Sequence, residues 1–387
     1  MNFDFDTQIN RRNTNSLKWD VGENELPMWV ADMDFCTAPA VREAIEKRAS
    51  HGIFGYSDVT EEWYDAYCNW WSTRHGVNFN KEHLTFCTGV VPAISSIVRK
   101  LTTPAEKVLV LTPVYNIFFN SIINNGRQPL ECELKFDGNE YSIDYCDFEE
   151  KLSDPQTSLM IFCNPHNPVG KIWQKDELAK IGELCRKHGV TVVSDEIHCD
   201  ITRPGFSYVP FCAASDGNKK MSVTCIAPTK AFNIAGIQTA AVYADDPFVF
   251  HKVWRGLNTD EVAEPNVFAV DAAVAAFNNG GEWLDALNEY VFKNKDLVKS
   301  FIDENIRGMK VVPSNATYLV FIDCTALKKD SVELSAFIRE STGLYLSAGG
   351  VYGKGGEHFL RMNVACPKDT VNDGLLRLKK AVELLKK

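Results

Sequence analysis

Residues 224–238, TCIAPTKAFNIAGIQ, combine a strand-like apolar run with a single charge, Lys230, and a tail of small residues. A lysine that directly follows a buried strand loses hydration, which lowers the pKa of its amine and favours the nucleophilic neutral form. The ordinary alternative is a lysine whose stem is buried while its head reaches water. Small neighbours leave space for a bulky group and favour the chemical role; they are Ala227, Ala231, Ala235 and Gly236.

Similar apolar runs recur upstream, separated by segments with helical spacing. They are HLTFCTG (83–89), KVLVLTPVY (107–115), SLMIFCNP (158–165) and GVTVVSDE (189–196). Near-continuous apolar strands indicate burial on both faces, as in a parallel sheet covered by helices. The pattern predicts an α/β fold: a large domain at 46–284 with a mostly parallel, doubly wound sheet.

The chain changes character at both ends. From about residue 285, a long helical pattern is followed by strand-like and Gly-rich segments, which predicts a smaller α+β domain at 285–387. Residues 1–45 are rich in Trp, Asp and Met and only weakly periodic. We interpret them as an N-terminal arm that contributes to the small domain.

Composition argues against several classes of protein. The net charge is −10 and no run of Lys or Arg occurs, so nucleic acid is not the expected partner. No apolar stretch reaches the length of about 18 residues that a membrane span needs, and the first residues lack the pattern of a secretory signal.

Twelve cysteines lie 13 or more positions apart, which predicts reduced thiols in the cytoplasm and no metal site of the C-x-x-C type. Neither G-x-S-x-G nor H-E-x-x-H occurs, which argues against a serine hydrolase and a zinc enzyme.

Polar and functional groups follow five of the apolar runs. Ligands of an open parallel sheet bind beyond the carboxyl ends of its strands, so these groups are expected around one crevice. The segments are 88–91 (TGVV), 112–115 (TPVY), 164–168 (NPHNP), 195–198 (DEIH) and 229–230 (TK). Backbone amides, an aromatic ring, a carboxamide, a carboxylate and an amine together are suited to a flat, charged, phosphorylated ring.

Each of these signals has an ordinary explanation when taken alone. The turn at Gly89 precedes a helical pattern whose free N–H groups suit a phosphate, although many βα turns look the same. Asp195 could cap a helix, or it could keep a pyridinium nitrogen protonated, which makes the ring the electron sink of pyridoxal phosphate chemistry. Tyr115 could be a core residue, and Asn167 could belong to a plain proline turn.

Six collinear motifs resemble the fold-type-I pyridoxal-phosphate enzymes, and among them the MalY/PatB-type cystathionine β-lyases, or C–S lyases. The motifs are LPMWVADMDF (26–35), HGIFGY (51–56), GVVPA (89–93), CNPHNPVGKIW (163–173), DEIHCD (195–200) and APTKAFNIAG (227–236). The resemblance runs from residue 3 to the end of the chain. It implies the fold of that superfamily, pyridoxal 5'-phosphate as cofactor, and α,β-elimination of L-cystathionine or L-cysteine-type substrates to pyruvate, ammonia and a thiol.

The resemblance also implies how the cofactor is held. Lys230 would bind it covalently as an internal aldimine, Asp195 would bind the pyridine nitrogen, Tyr115 would stack on the ring, and Asn167 would bond its phenolic oxygen. The phosphate would be held by one further group of residues. They are Gly89, Val90 and Val91, through backbone amides, Thr229, through its hydroxyl, and Tyr56, from the neighbouring subunit of a homodimer.

The substrate side depends on Arg361, in HFLRMNVA (358–365), which would clamp the α-carboxylate because its planar fork binds carboxylates bidentately. Two positions depart from the better-known aminotransferases: His198 stands where they carry Tyr, and Gln238 where they carry the Arg that neutralises the phosphate. His198 could adjust the proton on the ring oxygen or simply pack against it. What balances the phosphate charge is left open.

Two alternatives remain at this stage. An aminotransferase would share the first half of the reaction and would need a 2-oxo acid acceptor. The resemblance also includes members that modulate a transcription regulator by protein contact, so a regulatory protein partner is a third possibility. The simultaneous presence of Lys230, Asp195 and Arg361 favours an enzyme over a pure binding protein.

Overall fold

The architecture is described from a computed structural model that covers residues 3–385. Residues 1–2 of the predicted arm and 386–387 of the predicted small domain lie outside the described residues. The strands are β1 (Leu26–Pro27), β2 (Leu84–Cys87), β3 (Lys107–Thr112), β4 (Gln128–Glu133), β5 (Lys135–Phe136), β6 (Tyr141–Ser142), β7 (Thr157–Cys163), β8 (Thr191–Asp195), β9 (Ser222–Ile226), β10 (Ala240–Ala244), β11 (Lys310–Val311), β12 (Leu319–Asp323), β13 (Leu344–Tyr345), β14 (Ser347–Ala348) and β15 (Phe359–Asn363).

The helices connect these strands and cover the sheets. They are α1 (Pro39–Ser50), α2 (Glu61–His75), α3 (Val90–Leu101), α4 (Ile117–Ile123), α5 (Tyr145–Leu152), α6 (Lys175–Lys187), α7 (Asp216–Met221), α8 (Pro247–Thr259), α9 (Ala269–Asn279), α10 (Gly281–Asn305), α11 (Ser331–Thr342) and α12 (Lys368–Leu385). None of the helices within residues 3–385 combines the length and the apolar character that crossing a bilayer requires.

The central sheet has seven strands in the order β2-β10-β9-β8-β7-β3-β4. All neighbouring pairs are parallel except the two that involve β10, which runs antiparallel to β2 and β9. The five runs quoted above form β2, β3, β7, β8 and β9, which confirms the predicted α/β fold with a mostly parallel sheet. The strands β4 and β10 were not predicted, because their sequences QPLECE and AAVYA carry weak strand signals.

Burial on both faces explains why the central strands are apolar throughout. In β3, Val108 and Val110 join the core on one side of the sheet, while Leu109 and Leu111 join the core on the other. Successive side chains of a strand point to opposite faces, so helices on both sides require apolar residues at every position. The helix α6 buries Leu178, Ile181 and Cys185 with the spacing expected from its sequence.

A second, four-stranded sheet has the order β11-β12-β15-β14 and is antiparallel throughout. The N-terminal segment reaches this region, because β1 pairs with β13 through Leu26 and Leu344. The domain limits at 45 and 285 stay predictions. What matters for the site is that the β15 strand of the second sheet carries Arg361.

Candidate active site

A cavity of about 250 Å³ lies where the predicted strand ends converge. Nine of the predicted residues line it: Gly89, Val90, Val91, Tyr115, Asn167, Asp195, His198, Thr229 and Lys230. Thr88 and Ile197, from the predicted segments, also line it, as does Ala235, one of the small neighbours of Lys230. Ala31 and Cys163 contribute to the cavity without having been predicted to do so. The parallel strands bring these residues together because their carboxyl ends share one edge of the sheet.

Lys230 lies four residues after β9, partly buried, and its Nζ donates a hydrogen bond to the carbonyl oxygen of Ala31 at 2.7 Å. Burial lowers the pKa of the Lys230 amine to about 8, and the positive charge of Arg361 acts in the same direction. The carboxylates of Asp32 and Asp195 oppose that shift. A large fraction of the amine is therefore neutral near pH 8, which is the form that attacks carbonyl carbons and accepts protons.

Asp195 is the last residue of β8 and is only 4% exposed. Its Oδ1 accepts a hydrogen bond from the N–H of Ile197 at 3.1 Å. Burial raises the pKa of the carboxyl group to about 7, and the nearby Lys230 charge and that hydrogen bond offset only part of the effect. Because few neighbouring groups stabilise the negative charge of this buried carboxylate, a cationic partner in the cavity would be favourable.

Two rings of the cavity remain uncharged near neutral pH. Burial lowers the pKa of His198 well below its ordinary value, and the charges of Lys230, Arg361 and Lys295 add to the shift. The Nδ1 of His198 is buried and has no hydrogen-bond partner among residues 3–385, while the ring packs edge-on against Tyr318. Burial likewise raises the pKa of Tyr115 to about 12, so its phenol keeps the proton.

The start of α3 forms another part of the cavity wall. No side chain caps this helix at Gly89, so the first N–H groups, those of Val90 and Val91, are available at the positive end of the helix dipole. Thr229 lines the same cavity with its hydroxyl-bearing side chain. Gln238, which is exposed, also lines it, and it stands in a left-handed conformation with φ of 57°.

Arg361 reaches the site from β15 and is buried. Its Nη1 donates to Asn167 Oδ1 at 3.1 Å, and its Nη2 donates to the carbonyl oxygen of Trp29 at 2.9 Å. Among the described residues, its Nε is buried without a hydrogen-bond partner, and no carboxylate forms a salt bridge with this guanidinium. The positive charge is therefore free to bind an anion.

Tyr56 is the one predicted site residue that the structure places clearly apart from the cavity. It is fully exposed in a segment without regular structure, and it borders a neighbouring groove together with Phe54, Ile237 and Gln238. Gln238 is common to the groove and to the cavity. Within a single chain, Tyr56 therefore does not reach the cofactor cavity.

The segment that closes the site over Lys230 had no predicted role in the site. The carbonyl oxygens of Trp29 and Ala31 accept hydrogen bonds from Arg361 and Lys230, and Ala31 also accepts one from Tyr318. Residues 26–35 form one of the six motifs, but the sequence does not indicate which of their backbone carbonyl oxygens accept hydrogen bonds, because every residue has one. The density of charged and aromatic residues at positions 11–34 was the available signal.

Four charged side chains hold this segment in place. Asp34 bonds Arg11 at 2.7 Å and Lys18 at 2.7 Å, and Asp32 bonds Arg11 at 2.6 Å. Lys18 is almost fully buried, with 1% of its side chain exposed. The Asn363 Nδ2 donates to the carbonyl oxygens of Val30 and Asp32. The segment is thus tied to β15, the strand that also carries Arg361.

The residues present fit pyridoxal phosphate. A carboxyl group whose burial is uncompensated suits a protonated ring nitrogen, and an uncapped helix start suits a phosphate. An amine with a lowered pKa suits an aldehyde. These features lie around one cavity that is large enough for a single flat ring with its substituents.

Comparisons with known proteins agree with this geometry. The family model described as aminotransferase class I and II matches residues 18–378. The cystathionine β-lyase PatB of Bacillus subtilis (strain 168) is 42% identical over 98% of this chain and 99% of its own length. Cystalysin from Treponema denticola, whose crystal structure contains a pyridoxal 5'-phosphate cofactor, superposes with a TM-score of 0.96 at 33% identity, covering 100% of both chains. The pyridoxal-phosphate-bound C–S lyase from Staphylococcus hominis gives a TM-score of 0.93 at 31% identity, covering 99% of this chain and 98% of its own.

Proposed function

This chain belongs to the class I and II aminotransferase family and, within it, to the PatB/MalY-type lyases, and from this premise we propose that it releases a thiol from Cβ of an L-amino acid. It is a pyridoxal-phosphate-dependent C–S lyase of the cystathionine β-lyase type. The observation that carries the assignment of residues is that Lys230 and Asp195 line one small cavity, while Arg361 bonds Asn167 on its wall.

We assign the cofactor contacts to residues around that cavity. Lys230 would hold the aldehyde carbon, Asp195 the ring nitrogen, and Tyr115 one ring face. The backbone amides of Gly89, Val90 and Val91 would hold the phosphate together with the Thr229 hydroxyl, while Asn167 and His198 would face the phenolic oxygen. When bound, the cofactor supplies an electron sink for the pair of electrons left on the substrate Cα.

The proton transfers belong to Lys230. Its neutral amine accepts the proton from Cα of the bound amino acid, and its pKa of about 8 keeps it effective as a base near neutral pH. The electron pair left by that proton forms the Cα–Cβ double bond as the Cβ–S bond breaks and the sulfur leaves as a thiolate. The three-carbon product leaves as 2-aminoacrylate, which water converts to pyruvate and ammonia.

The charges around the cavity favour substrates with an uncharged or zwitterionic sulfur substituent. Arg361 would bind the α-carboxylate through its free donor positions. Among the described residues that line the cavity, Lys230 is the only cationic side chain, so a second substrate carboxylate finds no dedicated partner there. L-cystathionine would give homocysteine, L-cysteine would give sulfide, and S-alkyl cysteines would give alkyl thiols.

We also propose that the active enzyme is a homodimer in which Tyr56 completes the neighbouring site. This is supported by the full exposure of Tyr56 in the single chain and by its place beside Gln238 at the border of the cavity. A tyrosine hydroxyl from the partner subunit would supply a donor to the phosphate where Gln238 stands. The regulatory protein partner suggested by the resemblance stays a prediction.

A single assay on the purified holoenzyme tests the lyase. Pyruvate is followed after addition of L-cystathionine or S-methyl-L-cysteine, with no 2-oxo acid present. We expect pyruvate and thiol in equal amounts, and loss of both with Lys230→Ala. As a control, Lys187→Met removes an exposed lysine that pairs with Glu149 away from the cavity, and it should keep its colour and its turnover. Turnover only after addition of a 2-oxo acid would make the protein an aminotransferase instead.

A further inference from the structure

A second cavity, of about 310 Å³, lies against the segment that follows β8, apart from the residues that line the cofactor cavity. Its wall includes His75 at the end of α2, Cys199 and Asp200 immediately after His198, and Asn288 of α10. We propose that His75, Cys199 and Asp200 form a zinc-binding site whose fourth position faces this cavity. Nothing in the lyase reaction uses these three side chains.

The potential ligand atoms are already close to each other. One ligand atom of each of the three residues lies within 4.8 Å of the other two. His75 Nε2 is 2.9 Å from Asp200 Oδ1, and the indole Nε1 of Trp70 donates to the same oxygen at 2.9 Å. Tetrahedral zinc holds nitrogen, oxygen and sulfur at about 2.0 to 2.3 Å, so closing the site requires movements on the order of 1 Å. The indole N–H would orient the carboxylate once the metal is bound.

Asp200 has partners on one carboxylate oxygen but none on the other among the described residues. Its side chain is 2% exposed, and its Oδ2 is buried without a hydrogen-bond partner among residues 3–385. The two arginines of the cavity pair elsewhere, Arg74 with Asp285 and Arg203 with Asp296. A buried carboxylate oxygen without a donor is costly, and a cation in the cavity would remove that cost.

A second acceptor without a hydrogen-bond partner among residues 3–385 belongs to Asn288, which also lines this cavity. The amide Nδ2 of Asn288 donates to the backbone carbonyl oxygen of Asp200 at 2.9 Å, while its Oδ1 is buried without a partner within the described residues. A water molecule bound to the metal would donate to this oxygen. The unsatisfied groups on the cavity wall are thus acceptors, which is the arrangement that a metal ion and its bound water satisfy.

The types of ligand select the metal. An imidazole nitrogen, a thiolate sulfur and a carboxylate oxygen suit Zn²⁺, whereas Mg²⁺ and Ca²⁺ take oxygen ligands. Burial, with the nearby carboxylates of Asp200 and Glu196, raises the pKa of the Cys199 thiol well above its ordinary value. Because zinc binds the thiolate form, its binding would release the thiol proton to solvent.

The experiment uses untagged holoenzyme purified without chelators and then incubated with a small excess of ZnCl₂. After desalting, zinc and sulfur are quantified by plasma mass spectrometry, and the zinc environment is measured by X-ray absorption. We expect one zinc per chain with one sulfur neighbour at about 2.3 Å and nitrogen or oxygen neighbours at about 2.0 Å. The proposal is wrong if the protein retains less than about a tenth of a zinc ion per chain, or if the atoms that coordinate the zinc include no sulfur.

Three variants separate this site from other thiols. In Cys199→Ala, the zinc should lose its sulfur neighbour, and the affinity for zinc should fall at least tenfold. Substitution of residues that only hydrogen-bond to metal ligands already lowers metal affinity about 10- to 100-fold, so loss of a direct ligand should cost at least as much. Cys212→Ala removes another buried thiol, and Cys36→Ala an exposed one; both should bind zinc like the parent protein. Equal retention of zinc by Cys199→Ala and the parent contradicts the proposal.

A fourth variant tests the site independently, in case Cys199→Ala fails to fold. In His75→Gln, the side-chain amide can still donate to Asp200 Oδ1, but it is a poor zinc ligand. We expect this variant to fold with its cofactor bound and to lose zinc affinity at least tenfold. If it keeps the full affinity, His75 serves only as a hydrogen-bond donor and the site is not the one proposed.

Discussion

The amine of Lys230 donates a hydrogen bond to the backbone carbonyl oxygen of Ala31 at 2.7 Å, although 199 residues separate them in sequence. Ala31 lies between Val30 and Asp32, which Asn363 holds through their carbonyl oxygens. The N-terminal arm thus orients the Lys230 amine, while β9 positions the Lys230 backbone. This relationship makes residues 30–32 of the N-terminal arm part of the active site.

We expect Asp34→Asn to reduce both stability and activity. The substitution removes the closer of two carboxylates from the buried Lys18 ammonium, which keeps only Asp32 at 3.7 Å, and it also breaks the pair of Asp34 with Arg11. Breaking a buried pair typically costs about 3–5 kcal/mol. Chemical denaturation of the holoenzyme measures the change in the free energy of unfolding, and the kcat for pyruvate formation should fall because the Ala31 carbonyl shifts. Glu25→Gln, which breaks a more exposed pair with Arg339, is the control and should cost about 1 kcal/mol or less.

Arg361→Lys should weaken substrate binding more than catalysis. Lysine keeps the charge but loses the planar fork, and one hydrogen bond between charged groups contributes about 1.5–3 kcal/mol, so kcat/KM should fall about 10- to 100-fold, mainly through KM. Steady-state kinetics with S-methyl-L-cysteine measures this. The exposed Arg42→Lys serves as the control. An unchanged KM would mean that Arg361 does not bind the α-carboxylate.

The rate at which apoenzyme takes up pyridoxal phosphate should rise with pH and level off above about 8. The reason is that only the neutral Lys230 amine attacks the aldehyde, and burial places the pKa of this amine at about 8. Stopped-flow absorbance at several pH values gives the profile. Lys295→Met should show the same midpoint, because the Lys295 amine bonds the carbonyl oxygens of Ala316 and Thr317. A midpoint near 10, the ordinary value for lysine, would contradict the role of burial.

Asp195→Asn should stabilise the apoenzyme at pH 8 while it abolishes turnover. Burial raises the pKa of Asp195 to about 7, above the ordinary value of about 4, so between these two pH values the native state holds a proton that the unfolded chain has lost. This group therefore makes the apoenzyme less stable as pH rises from about 4 to about 7, by an amount on the order of a few kcal/mol. Thermal unfolding of apoenzyme at pH 5 and pH 8 measures it.

The control for that experiment is Asp20→Asn, which changes an exposed aspartate. We expect no gain in melting temperature from this variant at either pH. If Asp195→Asn also brings no gain at pH 8, the buried carboxylate is compensated in a way that the cavity residues do not reveal.

Mixing two inactive variants tests the proposed contribution of Tyr56 from the partner. Hybrid dimers of Lys230→Ala and Tyr56→Ala would contain one site with both Lys230 and Tyr56 intact. For random reassociation, we expect about a quarter of the parental activity, measured as pyruvate formation after mixing under mild dissociating conditions. No gain over the separate variants would show that Tyr56 acts within its own chain or not at all.

Local signals in the sequence were sufficient for much of the fold. The apolar runs that form β3, β7, β8 and β9 predicted the parallel sheet, because strands buried on both faces must be apolar at every position. The same signals placed Asp195 and Lys230 beyond strand ends, and their meeting at one edge follows from the parallel direction of the strands. The sequence did not indicate β10, whose five residues resemble a helix as much as a strand.

Contacts between distant segments were decided only by the tertiary structure. The sequence could not show that Ala31 faces Lys230, because a backbone carbonyl is the same at every residue. Nor could it show that His75 lies beside Cys199 and Asp200, since their spacing follows no metal-binding motif. Residue type determines which groups can react, whereas burial and distance determine their charge and their partners, and these two quantities exist only once the chain has folded.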